Sequence, residues 1–214
     1  MGNRALIKTQ RVGGIGLYMH WNGGRDTIAP LLHYCKLQGY RSPEIDGYGW
    51  ARLAQVVGNF FGGSTSVGIV MNYDECDDNG VYIIKDWKIV DRVVCDGFVE
   101  QDEYDFKQML KNFDDCMPES CKLGGYLDSV EIKTADLKIG DQVWETSYDW
   151  EMNYEKWEAH EIVGFGTDKQ VGYVESVKGI PYHSKYSREG YSTDEILNNY
   201  VLGETCRIVP RKES

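Results

Sequence analysis

The chain has 214 residues, 34 acidic against 23 basic side chains, a formal charge of -11 and an isoelectric point near 4.8. That length makes one large or two small domains, and 42% hydrophobic with 13% aromatic residues is more than a disordered acidic chain carries. The charge excludes adhesion to phosphate backbones or anionic lipid by simple attraction, no stretch approaches the roughly 18 apolar residues of a membrane span, and residues 1–10 carry no apolar signal core, so the expected setting is the cytosol with no membrane and no direct nucleic acid.

Residues 4–9 read as a strand, and Gly13-Gly14 turns the chain into a second strand over 16–21, a predicted N-terminal hairpin. After Asn22-Gly23-Gly24-Arg25-Asp26-Thr27, residues Ile28, Leu31, Leu32 and Cys35 recur at helical spacing. Asp26 is the expected N-cap of this helix, which places Pro30 in the first turn, where amide donors lack intrahelical partners. A second helix is expected over 48–61, with Leu53, Ala54, Val56, Val57, Phe60 and Phe61 as its apolar face and Gly62-Gly63 as its stop. Strands are expected over 64–73, 81–84 and 87–94, an acidic hairpin turn at 74–80, and a third helix over 104–113 on Phe106, Met109, Leu110 and Phe113.

The texture changes near residues 117–128. A small, polar linker there gives way to an aromatic, strand-like region in which Lys138-Ile139-Gly140-Asp141 turns the chain as small barrels do. Further strands are expected over 161–165, 170–177 and 205–209, and a short helix over 193–200. The expected fold class is α+β: an N-terminal α/β sandwich (a sheet with two or three helices) over residues 1–117, a linker over 118–128, and a C-terminal small β-barrel-like module over 129–214.

The charge is polarised along the chain. Residues 1–50 hold six basic and three acidic side chains, whereas residues 74–161 hold 24 acidic and nine basic ones. One reading is a well-solvated surface; the other is an acidic face for a basic protein partner, whose encounter would be salt-sensitive. The residues expected to carry such a face are Asp102, Glu103, Asp105, Asp114 and Asp115, with Trp150 and Trp157 from the aromatic cluster as anchors.

The second candidate site is the strand-turn-helix His20, Trp21, Asn22, Gly23, Gly24, Arg25, Asp26. Two glycines ahead of a helix N-terminus expose backbone donors, and Arg25 adds positive charge, which suits an anion such as the phosphate of a nucleotide. It lacks the GxxxxGK[ST] and GxGxxG patterns. Ser64 and Thr65, after Gly62-Gly63, would add hydroxyls if the two loops lie together. The alternative is a plain turn and helix cap.

No cofactor or metal is expected. The six cysteines form no CxxC pair, the four histidines show no HExxH spacing, and Glu75 to Asp86 has strand-like flanks where a calcium loop needs helices. No catalytic set emerges: Cys35 and His33 are two apart on a helix and face different ways.

The runs Gly2-Asn3-Arg4-Ala5-Leu6-Ile7, Leu17-Tyr18-Met19-His20-Trp21-Asn22-Gly23-Gly24-Arg25-Asp26, Ala51-Arg52-Leu53, Phe60-Phe61-Gly62-Gly63 and Asp78-Asn79-Gly80-Val81-Tyr82-Ile83, in that order, resemble a family of uncharacterised proteins of phages, prophages and mobile elements. The resemblance covers roughly residues 2–115; residues 127–214 look like a module that some members append. It implies no activity. It implies a setting, a small accessory product that alters host machinery or defence. Two functions are therefore expected to compete: an acidic inhibitor of a host defence protein, and a domain that binds a nucleotide-like ligand at Asn22 to Thr27.

Overall fold

The computed structural model describes residues 3–75, 78–94, 104–149, 154–165, 173–178, 200–201 and 205–212. It is an α+β chain that divides into two units, Met1–Lys122 and Leu123–Ser214.

The first unit is a five-stranded mixed sheet with three helices. Strands β1 (Ala5–Lys8) and β2 (Ile15–Met19) pair as the antiparallel hairpin expected, turned by Gly13 and Gly14 at φ 65° and 76°. Helices α1 (Arg25–Leu37) and α2 (Gly47–Phe60) follow, then β3 (Val67–Met71), β4 (Val81–Lys85), β5 (Lys88–Val93) and α3 (Phe106–Asp115). The order across the sheet is β3-β2-β1-β4-β5, with β4 parallel to β1.

Local chemistry accounts for the element ends. Asp46 caps α2 by accepting from the Tyr48 and Gly49 amides at 2.9 and 3.2 Å. Gly62 and Gly63, at φ 61° and 79°, close that helix by returning their amides to Asn59 and Gly58. Asp86 and Trp87 both sit at positive φ in the two-residue turn from β4 to β5. The buried Trp87 indole donates to the Tyr40 carbonyl at 2.7 Å.

Two expectations are corrected in this unit. The cap of α1 is Gly24, extended at φ -69° and ψ 161°, while Asp26 lies inside the first turn. Pro30 is consequently the sixth helical residue, beyond the first turn, and the bond it cannot make is the one to the Asp26 carbonyl. The stretch 74–80 is not a hairpin turn, because β3 and β4 are separated by β2 and β1. Its described ends, 74–75 and 78–80, lie against β1 instead. Asp74 meets Lys8 at the C-terminal end of β1, and Asp78 meets Arg4 just before its N-terminal end. Alternation explains why a strap is needed there. Leu6 clusters with Val81 and Ile83, with Tyr73 packed against them; by alternation Lys8 shares that face of β1, while Ala5 and Ile7 point to the other. All four β1 residues are buried, so both faces are covered.

The second unit is a six-stranded sheet of β6 (Val130–Lys133), β7 (Gln142–Asp149), β8 (Tyr154–Phe165), β9 (Tyr173–Lys178), β10 (Tyr200–Val201) and β11 (Thr205–Ile208). The order is β10-β9-β8-β7-β11-β6, with β6 and β10 at opposite edges, so among the described residues the sheet is open and forms no closed barrel. Its apolar cluster is Leu137, Val143, Ile162 and Ile208, with Ile132 and Cys206 packed against it. The stretch expected to be a linker holds two short 3-10 turns, Glu119–Cys121 and Gly124–Asp128, and the second buries Tyr126. Of the expected helix over 193–200, residues 193–199 lie outside the described residues, and Tyr200 is in β10.

Candidate functional site

The structure joins the start of the first glycine turn to the end of the second glycine loop by one backbone bond. β2 pairs with β3 up to Met19 opposite Val67, and the His20 amide then donates to the Ser66 carbonyl at 2.8 Å. His20, at the start of the turn, therefore lies beside Ser66, in whose loop the Ser64 and Ser66 hydroxyls are 3.0 Å apart and Thr65 is exposed, while Gly23 and Gly24 cross the sheet end towards Asn3 and Asn79.

Each residue of the turn has a separate role. The Tyr18 hydroxyl and His20 Nδ1 are 3.2 Å apart, and the His20 ring stands edge-on to Trp21 with centroids 4.9 Å apart. Trp21 remains 45% exposed, which leaves ring surface open to solvent. Asn22 takes φ 54°, a left-handed conformation that its short side chain tolerates. Gly23 is buried against β1: its amide donates to the Asn3 carbonyl at 2.8 Å, and a Cβ there would lie 2.6 Å from the Ala5 Cβ and 2.7 Å from backbone atoms of Arg4 and Ala5. Gly24 starts the helix, its carbonyl accepting from the Thr27 and Ile28 amides. Arg25 is exposed.

Asp26 changes the electrostatics expected of this turn. One of its carboxylate oxygens, Oδ1, is buried without a hydrogen-bond partner among the described residues and packs against Gly24. An acidic side chain in the first helical turn already satisfies the positive end of the helix dipole, and it repels a bare anion. The exposed groups along this end of the sheet are thus the Arg25 side chain at the helix start, the Trp21 ring, and, on the β3 side, Ser64 and Thr65.

The acidic face fares differently. Asp102, Glu103 and Trp150 lie outside the described residues. Asp105 is exposed but caps α3, accepting from the Gln108 amide at 2.8 Å. Asp114 is only 5% exposed and accepts the Tyr34 hydroxyl at 2.8 Å, so it is withdrawn from any surface by the packing of α3 on α1. Burial, then that carboxylate, pushes the Tyr34 phenol well above its usual range, which keeps it a proton donor. Asp115 is exposed, yet Lys107 and Lys111 share its helix.

Three basic residues near the N-terminus pair with acids of the 74–91 stretch. Arg4 meets Asp78 through two nitrogens at 3.1 and 3.2 Å, Lys8 meets Asp74, and Arg11 meets Asp91. The polarity seen along the sequence is thus partly cancelled in space. The Lys8 bond and the Gly13 amide hold Asp74 below the usual carboxylate range, and the Arg4 bond does the same for Asp78.

In the second unit, Trp157 stacks on Tyr126 with centroids 3.9 Å apart and planes at 7°, while Trp144 meets Tyr126 edge-on at 5.9 Å. Arg207 lies over Tyr126, 5.3 Å from its ring centre, and donates to the Ser129 hydroxyl and carbonyl at 2.7 and 2.9 Å. Trp157 is therefore held in an intramolecular stack. Near the C-terminus Arg211 forks onto Asp141 at 2.8 and 2.7 Å, and its hydrogen bonds hold that carboxyl below its usual range.

Sequence reasoning missed Tyr18, Asn3 and Asn79 as supports of the turn. The Asn79 amide donates to the Arg4 carbonyl at 2.9 Å, and its side chain reaches Asn3. Only the parallel pairing of β1 with β4 makes these residues neighbours, and no local pattern announces it.

Among the described residues no three His, Cys, Asp or Glu side chains converge as metal ligands, and no helix is long and apolar enough to cross a membrane. No protein-family model matches the chain, and no curated protein or solved structure is significantly similar to it.

Proposed function

We propose that the protein is a small accessory protein of a phage or mobile element that acts in the host cytosol by binding, and that its ligand surface is the rim of Trp21, Asn22, Arg25, Asp26, Ser64 and Thr65. The observation that supports this reading is the His20 to Ser66 backbone bond, which sets the residue next to Trp21 beside the Ser64–Ser66 loop. The chemistry of the rim suits a nucleotide-like ligand. Trp21 offers a face on which a base can stack, Asp26 accepts from an amino or hydroxyl group, and Arg25 with the two hydroxyls takes the phosphate or sugar. Sequestering such a molecule would remove it from host signalling.

The test is a thermal-shift and calorimetry panel of mono-, di- and cyclic nucleotides on the full chain. A stabilised melt is expected for at least one of them, abolished in Trp21→Ala and Arg25→Ala and in Gly24→Val. No shift across the panel in the unmodified protein overturns the reading.

The alternative, inhibition of a basic host protein through the acidic region, draws on the exposure of Asp105, Asp115 and Glu119. Charge reversal at Asp105 and Asp115 would then abolish capture of that partner from host lysate. Capture that survives the reversals and high salt counts against it.

A further inference from the structure

We propose that the free edge of β3 is a self-association surface, on which a second copy of this chain adds its own β3 antiparallel to the first. β3 ends the sheet order, and among the described residues no strand pairs with it on its outer side. The bonds from His20 to Ser66 and from Asn72 to Gly14 set the phase of the β2–β3 ladder, so the even-numbered residues bond inward. The amide and carbonyl groups of Val67, Ile69 and Met71 consequently point outward, unpaired by the sheet. The same residues share one face with Ile15, and this stripe is open to solvent: Ile15 is 41%, Ile69 56% and Met71 73% exposed.

Charge selects the occupant. Residues 53–73 hold no Asp, Glu, Lys, Arg or His, in a chain whose net charge is -11. Two such chains carry a net mutual repulsion, and an uncharged edge is where they can meet at little electrostatic cost. The other edge of the sheet, β5, carries Lys88, Asp91 and Arg92, the usual protection of an edge strand, and β3 carries none. The pattern is also self-complementary. With Ile69 opposite Ile69 of the second copy, Val67 falls opposite Met71, each pair exchanges both backbone bonds, and the apolar stripes run together. A five-residue edge is small against the roughly 800 Å² a side of a standard complex, so the dimer dissociates on dilution.

Sedimentation velocity and light scattering over a concentration series test this on the full chain. The expected result is a monomer–dimer equilibrium that strengthens as salt screens the mutual repulsion, the opposite of an ion-paired interface. Ile69→Lys is expected to leave a folded monomer, checked by circular dichroism, because the side chain is already half exposed. Val90→Lys on β5 is expected to dimerise as the unmodified chain does. A protein that stays monomeric up to its solubility limit, or a folded Ile69→Lys that still dimerises, overturns the proposal. So does a Val90→Lys variant that dissociates as fully as Ile69→Lys.

Discussion

Lys8 is wholly buried in β1, and its ammonium is held by Asp74, 66 residues further along the chain, and by the Tyr73 carbonyl at 3.3 Å. A buried cation with one anionic partner is sensitive to the loss of that partner and less so to joint replacement. Asp74→Asn is therefore expected to lower the melting temperature, whereas the double variant Lys8→Met with Asp74→Asn, which removes both charges and keeps the buried stem, should change stability by less than about 1.5 kcal/mol. Asp74 and Asp78 both titrate below their ordinary range in the folded protein. Their contribution is present above the unfolded carboxylate value, near pH 4, and is lost as pH falls through the lower folded values. Thermal melts between pH 7 and pH 2 should show this acid limb, and it should be shallower in Asp74→Asn.

Gly23 and Gly24 are expected to respond differently to alanine. At Gly23 the new methyl meets backbone atoms of Arg4 and Ala5, which cannot rotate away, and a cost of about 1–3 kcal/mol follows. At Gly24 it meets the Asp26 carboxylate, the end of a side chain that can turn aside. Urea denaturation should therefore separate the two, with Gly24→Ala the milder variant, while Gly24→Ala still disturbs ligand binding at the rim.

Tyr34→Phe removes the hydroxyl that serves Asp114 and that accepts from Gln38 at 2.8 Å. Gln38 also donates to the Cys121 carbonyl at 2.6 Å, so the network ties α1 to both α3 and the end of the first unit. A loss of about 1–3 kcal/mol is expected, read by chemical denaturation. A neutral result would show that Asp114 is fully satisfied without Tyr34.

Trp157→Ala removes one side of the stack that holds Tyr126 against β7 and β8. Beyond the lost area, the aromatic pair itself is worth about 0.5–1.5 kcal/mol. Loosening of the Gly124–Asp128 turn should appear as faster amide exchange there, and Trp157→Phe should restore most of the protection.

Much of the first unit was legible because its signals are local. The N-terminal hairpin follows from paired glycines between apolar strands, α2 from its wide apolar face, and α3 from Phe106, Met109, Leu110 and Phe113. The cap of α1 differs from the expectation because Asp26 is the better capping residue by type, while Gly24 is the residue left extended just ahead of the helix, following Gly23, which is packed against Ala5. The candidate turn was legible as a motif. The bond from its first residue, His20, to Ser66 was not, since it depends on the β2–β3 register.

By itself, the sequence determined the α+β class, most element positions in the first unit and the total of -11, because propensity, turn chemistry and composition act over a few residues. Tertiary structure alone decided where that charge goes. The strand order separates β3 from β4 by two strands, and the ends of the connection between them set Asp74 and Asp78 against Lys8 and Arg4. Three basic residues near the N-terminus become paired with acids 66 to 80 residues further along, because pairing distance is a property of topology and not of separation along the chain.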